Sequence, residues 1–287
     1  MAEREFEIIA EVGCQLAEGP VWHEQEGALY WTDIMRGQMW RWEEGKGSEI
    51  VYEGQRVGGF TVQADGSLLL FREGGNVVIW DKGEVRDVVV EGIAGSDGER
   101  FNDVYADPMG RVYAGTVCEG EMGRLIRLEI DGQWHELVRG VACSNGMDLT
   151  LDQGRMYYTD SKMRTIWSYG YEQSTGALHD RQVFVEVNEG EGVPDGLTVD
   201  KGGDVWSARW DGWGVYRYGD DGKLKEKVEL PAKQVTSVCF GGKGYGDLFV
   251  TSAGCGGGCQ LGKHAGSVFR VKADVVGKPS HFSRVCL

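Results

Sequence analysis

One pattern recurs six times along this chain and limits its architecture more than any other feature. The segment starting at Gly19 reads GPVWHEQEGALYWTDIMRGQMWRW, and related segments begin at Gly59, Asn102, Asn145, Asp195 and Thr236. The starts are 40, 43, 43, 50 and 41 residues apart. Each copy opens on a small or polar residue, runs through a short apolar strand and turns at a Gly/Asp cluster. A second strand follows, such as Leu29-Tyr30-Trp31-Thr32-Asp33 or Arg155-Met156-Tyr157-Tyr158-Thr159-Asp160, and then a third that ends in an aromatic or an arginine. Alternating, β-branched and aromatic runs dominate, and helical periodicity is nearly absent. A period of this length is that of a four-stranded sheet with three turns, so the fold class is all-β and the architecture a six-bladed β-propeller. A pair of β-sandwiches would not keep so regular a period.

The whole chain, residues 1–287, is expected to form this single propeller domain. Radial repetition protects the strand edges only if the ring closes. Phe6-Glu7-Ile8-Ile9-Ala10-Glu11-Val12 reads as a strand that closes it by pairing with the last blade, to which Ser267–Val271 and Phe282–Val285 are assigned. Glycine agrees with many tight turns: 46 of 287 residues, about 16 % against a usual ~7 %, spread along the chain, with only 5 prolines.

Acidic residues number 45 and basic residues 30, a net charge of −15, and no Lys/Arg cluster occurs. That balance argues against nucleic acid or an anionic membrane as partner, since both are recognised by basic patches. No apolar run approaches the ~18 residues of a membrane span, and the first residues lack the apolar core of a signal peptide. A cytoplasmic protein, monomer or homodimer, is expected. The 7 cysteines are an odd number in a chain able to build a core without bridges, so most should be reduced and buried. Cys255 and Cys259, separated by three glycines, fit a glycine-rich loop, a local disulfide or a metal clip.

In a propeller the first strand of each blade lines the central channel, so equivalent positions in different repeats converge on one ring. The residue at the start of that strand is Glu18, Asn102, Asn145, Asp195 and Thr236/Ser237 in copies one, three, four, five and six. Small or turn-forming neighbours let the backbone come close to the axis. Two carboxylates at one end of a channel repel each other unless something positive lies between them. Glu18, Asn145 and Asp195 offer oxygen donors without Cys or His, which favours one hard divalent cation, Ca²⁺, Mg²⁺ or Mn²⁺, with Zn²⁺ also possible. Three protein ligands would leave positions for water and substrate. The same residues also read as strand caps, because Asn-Gly and Asp-Gly are ordinary turn dipeptides.

Several segments carry a family likeness. Glu18-Gly19-Pro20-Val21-Trp22, Arg100-Phe101-Asn102-Asp103, Ala114-Gly115-Thr116, Ser144-Asn145-Gly146-Met147 and Pro194-Asp195-Gly196-Leu197-Thr198-Val199-Asp200 together resemble the gluconolactonase, senescence marker protein (regucalcin) and luciferin-regenerating enzyme family. No single motif is specific, but the ordered set spans all six repeats. The resemblance implies one divalent metal at the channel mouth on residues matching Glu18, Asn145 and Asp195. It also implies substrate contacts from Arg100 and Asn102, and hydrolysis of a sugar lactone. After Thr116 the chain departs from the family with Val117-Cys118-Glu119-Gly120-Glu121, in which either glutamate could face substrate, Glu121 being the expected contact. Arg209-Trp210-Asp211-Gly212-Trp213 could form a pocket wall or place Trp213 in the core. His23, His135, His179, His264 and His281 match no functional position and read as surface or strand residues.

The expected chemistry is opening of an aldonolactone such as glucono- or xylono-lactone, with the metal polarising the carbonyl and Asp195 as general base. The same site could instead hydrolyse phosphotriesters or other esters, or hold calcium in a propeller without turnover.

Overall fold

A computed structural model of the protein describes residues 4–93, 98–118, 122–254 and 258–287. It contains six four-stranded antiparallel sheets arranged as the blades of a β-propeller, and the only helical elements among the described residues are four short 3-10 turns. No helix of the described residues is long and apolar enough to cross a membrane. The innermost strands are Ala17–His23, Val57–Val62, Glu99–Ala106, Ser144–Leu149, Val193–Val199 and Val235–Gly241 in blades 1 to 6. Blade 6 takes its outer strand from the other end of the chain: Phe6–Ala10 pairs antiparallel with Val268–Lys272. This closure is the one the sequence predicts, and it leaves blade 6 with strands from both chain ends.

Why the blades stay together is visible in the strand patterns. Second strands such as Ala28–Asp33 and Asp247–Ser252 are buried along their whole length, because both faces lie against neighbouring sheets. Among the described residues there are six apolar clusters, one at each blade interface. Tyr30 and Met39 of blade 1 pack with Leu70 and Val78 of blade 2, for example, and Trp206 of blade 5 packs with Leu248 and Phe269 of blade 6. Hydrophobic burial therefore acts between blades rather than within one, so a single blade has no core of its own.

All six innermost strands break register with their neighbours at one equivalent place, between Glu18 and Val21, Val57 and Gly59, Phe101 and Val104, Ser144 and Met147, Pro194 and Leu197, and Val235 and Val238. A register break re-aims a side chain and sharpens the local twist. Here it falls at or beside Glu18, Asn102, Asn145 and Asp195. The glycines that follow are set by close approach: a Cβ on Gly146 would lie 2.4 Å from the backbone N of Leu197, and one on Gly196 would lie 2.7 Å from the Cα of Ser237. Only hydrogen fits between these strands.

Phe282–Val285 is a correction to the sequence reading. It forms no strand of blade 6. Ser283 bridges Gln63 of blade 2 in parallel, its N–H donating to Val62 O at 2.9 Å, and Gln63 and Val285 exchange two hydrogen bonds of 3.1 and 2.9 Å. Gly277 meanwhile bridges Asp200 of blade 5, and Lys278 pairs with Asp148 of blade 4. The segment after blade 6 thus crosses from blade 5 to blade 2. Lys278, Pro279 and Ser280 line a channel cavity of about 100 Å³ on the way. Val285 is fully buried in the apolar cluster between blades 2 and 3.

Gly146→Ala should lose about 1–3 kcal/mol, because its new methyl meets backbone that cannot yield. Gly246, with φ −88° and nothing within 4 Å of a Cβ, should accept alanine without loss. Urea unfolding midpoints of the two variants give the comparison, and equal midpoints would contradict the packing argument.

Candidate functional site

The structure brings Glu18, Arg100, Asn102, Asn145 and Asp195, from blades 1, 3, 4 and 5, to one cavity of about 270 Å³ at the channel mouth. Its walls include the apolar side chains of Leu16, Val193 and Trp210. Glu18, Asn102, Asn145 and Asp195 are each about 95 % buried, while Arg100 is half-buried. Glu121, the remaining expected substrate contact, lies outside the described residues.

A directional hydrogen-bond chain fixes the amides. The Arg100 guanidinium can only donate, and gives one N–H to Asn102 Oδ1 at 2.7 Å. Asn102 must then present its NH₂, which reaches Asn145 Oδ1 at 2.6 Å and Ser144 O at 2.8 Å. Asn145 in turn donates from Nδ2 to Ser161 Oγ at 2.7 Å, and Ser161 donates to Pro194 O at 2.6 Å. The chain runs through blades 3, 4 and 5 and ends on the residue before Asp195. It leaves the Asn145 carbonyl oxygen, not its amide nitrogen, on the Asn102 side.

The carboxylates are less well served. Asp195 Oδ1 is buried with no hydrogen-bond partner, and Glu18 receives one long bond of 3.3 Å from the Gly19 N–H. Burial raises both acids well above the ordinary carboxylate range, and repulsion adds to it: Asp195 and then Asp103 act on Glu18, and Asp103 acts on Asp195. Arg100 opposes the shift at both. Asp103 is pushed up to about 7, again by burial with Arg100 opposing. Burial lowers Arg100 itself and lifts the neighbouring Cys143 thiol to about 12, so that thiol stays protonated. An orphaned buried carboxylate oxygen is costly unless a cation or a donor completes it.

The donor set therefore fits a hard divalent cation: two carboxylates short of partners, and an amide whose other end is tied down. Among the described residues no three His, Cys, Asp or Glu side chains group as a metal site, so such an ion would need the Asn145 amide as its third protein donor. Of the other ring positions, Ser237 does not join this cavity; it lines the channel cavity behind it, as does Asp103. The structure thus separates two sequence neighbours, Asn102 facing the mouth and Asp103 the channel.

Of the aromatic loop, Trp210 lines the cavity, whereas Trp213 is 39 % exposed and belongs neither to it nor to the core. Cys143, Ser161 and Lys162 also line the cavity, and sequence reasoning missed all three. Ser161 follows an aspartate at a strand end, a context shared by many turns, and nothing local marked it. Among the histidines His23 is buried in its strand, 3.2 Å from Gly66 O, and none lines the cavity. Cys14, Cys143, Cys239 and Cys286 are free thiols. Cys255 and the side chain of Cys259 lie outside the described residues.

In chelator-treated protein these raised carboxyls make stability fall as pH rises. The protons they hold in the folded state stabilise it fully below about pH 4, where the unfolded acids are protonated too. That contribution is lost as pH climbs through about 7, the value for Asp103, and beyond for Glu18 and Asp195. Asp195→Asn should raise the metal-free melting temperature at pH 8 by a few °C, roughly the effect of 1–2 kcal/mol, and flatten its pH dependence. A variant that melts lower at pH 8 than the wild type would contradict the repulsion.

Comparison with known proteins places the chain. The family model described as SMP-30/Gluconolactonase/LRE-like region matches residues 16–254. Pentonolactonase XacC of Haloferax volcanii is 40 % identical over 97 % of this chain and 98 % of its own. A 6-deoxy-6-sulfogluconolactonase of Pseudomonas putida is 30 % identical over 83 % of each. A solved luciferin-regenerating enzyme superposes with a TM-score of 0.90 at 26 % identity, covering 98 % of this chain and all of that one. Matched along nearly its whole length in sequence and in fold, the chain belongs to the SMP-30/gluconolactonase/LRE-like family.

Proposed function

We propose that this protein is a metal-dependent hydrolase that opens a sugar lactone to the free acid. The observation that carries the reading is the meeting, in one cavity, of two buried carboxylates with an oriented amide oxygen and a half-buried arginine, Asp195 Oδ1 having no partner. The names of two relatives, a pentonolactonase and a sulfogluconolactonase, support a lactone as the substrate class. Glu18, Asn145 and Asp195 would hold one divalent cation, Ca²⁺, Mg²⁺, Mn²⁺ or Zn²⁺. When bound, that cation supplies a Lewis acid for the lactone carbonyl oxygen.

The remaining work falls to the chain's own groups. Asp195 acts as general base through the carboxylate oxygen that it does not give to the cation. It takes a proton from the attacking water. The water oxygen bonds to the carbonyl carbon, the ring C–O bond breaks, and the departing ring oxygen leaves as a hydroxyl once that proton is returned to it. Arg100, linked to Asn102 at 2.7 Å, presents its remaining N–H donors to the sugar hydroxyls, and Asn102 Oδ1, whose amide N–H groups are both committed to blade 4, keeps a lone pair to accept from one of them. Trp210, Leu16 and Val193 offer apolar surface to the C–H faces of the ring and keep bulk water from it.

Acid release from xylono- or glucono-lactone, followed with a pH indicator, tests this directly. Turnover should vanish with EDTA, return with added divalent cation, and fall roughly 10²–10⁴-fold in Asp195→Ala while the protein remains folded. Wild-type rates in that variant would remove Asp195 from its role. Reaction with phosphotriesters alone would transfer the site to the esterase reading, and cation binding without any turnover would leave a calcium-binding propeller.

A further inference from the structure

The strands that carry Glu18 and Asn145 are fastened by the same device. In blade 1, Asp33 faces Ala17, the residue before Glu18. Its two carboxylate oxygens accept the backbone N–H groups of Gln15 at 2.9 Å and Leu16 at 3.1 Å. In blade 4, Asp160 faces Ser144, the residue before Asn145, and accepts the N–H groups of Ala142 and Cys143, both at 3.0 Å. The donors sit three and two residues before Glu18 in one case and before Asn145 in the other. Asp33 is fully buried and Asp160 is 5 % exposed.

The equivalent position differs elsewhere. It is Thr116 in blade 3 and Ser252 in blade 6, facing Phe101 and Val235. Thr116 accepts from the Arg124 N–H and Ser252 from the Gly266 N–H, both later in the chain rather than ahead of the innermost strand. In blade 5 it is Arg209, facing Pro194; its guanidinium is fully buried, bonds Ser207 and stacks over Tyr216 and Tyr218 at 4.9 and 5.4 Å. A carboxylate clamp therefore occurs with Glu18 and Asn145 and not as a general requirement of the blade. Asp33 also has Arg36 at 3.5 Å, but a neutral hydroxyl serves at the same place in blade 6, so the blade architecture by itself does not call for a carboxylate there.

We propose that Asp33 and Asp160 are positioning residues for the divalent cation, each clamping the segment that aims Glu18 or Asn145 at it. Groups that orient metal ligands without touching the metal typically change affinity 10–100-fold when altered. The inference rests on the cation site proposed above, and the test separates the two. Calorimetric titration of the folded protein with Ca²⁺ and with Mn²⁺ should show affinity falling roughly 10–100-fold in Asp160→Asn and in Asp33→Asn, and unchanged in Ser252→Ala. Lactone turnover in the two Asn variants should drop at limiting cation and recover at saturating cation, which a purely structural defect would not do. Wild-type affinity in folded Asn variants overturns the proposal, and so does an equal loss in Ser252→Ala. If one Asn variant fails to fold, the other decides by the same titration; if both fail, the clamps serve the fold and the proposal falls. A wild-type protein that takes up neither cation defeats the site reading itself, and this inference with it.

Discussion

Repulsion between buried acids at the channel mouth is the constraint to which the rest of this molecule answers. Glu18 and Asp195 are separated by most of the sequence, yet ring closure puts them in one cavity, with Asp103 close behind. The six interface clusters supply the force that holds them there, because apolar burial between blades fixes the radius of the ring regardless of what its inner positions carry. The scaffold is thus stable enough to bear a local arrangement that is unfavourable by itself. Such stored cost is common at functional sites, and here it has a definite form: desolvated carboxyls in mutual repulsion, one of which, Asp195, has an oxygen that finds no donor.

The hydrogen-bond chain from Arg100 to Pro194 shows how polarity is sorted around that centre. Its direction follows from one residue that can only donate, and each link then has a single allowed orientation. Asn145 is a better choice than aspartate at its position for the same reason. A carboxylate there could accept from Asn102 but could not donate to Ser161, so the chain would break and a further negative charge would join the cavity. An amide keeps an oxygen for the centre and a donor for the scaffold.

The period of the sequence made the propeller legible, and the logic of equivalence carried Glu18, Asn102, Asn145 and Asp195 to one ring before any coordinates. Phe6–Ala10 was legible as the closing strand because it is a short β-rich run at the end of a chain that needs an edge covered. What stayed hidden depends on contacts between segments without periodicity. Phe282–Val285 looks like a strand by composition, but its place is decided by Gln63, which takes both of its backbone groups, and by an apolar cleft between blades 2 and 3. The Thr32-Asp33 and Thr159-Asp160 dipeptides were visible as strand ends, though nothing in them says that the aspartates reach back to N–H groups more than a dozen residues earlier. Asn102 and Asp103 were equally hard to separate, since only the register break decides which of two adjacent side chains faces the mouth.

The two ends of the channel differ in a way that bears on where a cation would settle. At the far end Asp148 is ionically paired with Lys278 and also accepts the N–H groups of Leu149 and Val199 at 2.8 Å. Its charge is answered within the chain, by a lysine that the C-terminal segment brings across from blade 5. At the mouth neither Glu18 nor Asp195 has such a partner, and the Nη1 amino group of Arg100 donates to two neutral oxygens, Phe101 O and Asn102 Oδ1. Carboxyls without an ionic partner therefore gather around Glu18 and Asp195, with Asp103 acting on both. A diffusing divalent ion would be drawn to the cavity of Glu18 and Asp195, which a small sugar can also reach, more than to Asp148, whose charge Lys278 already answers.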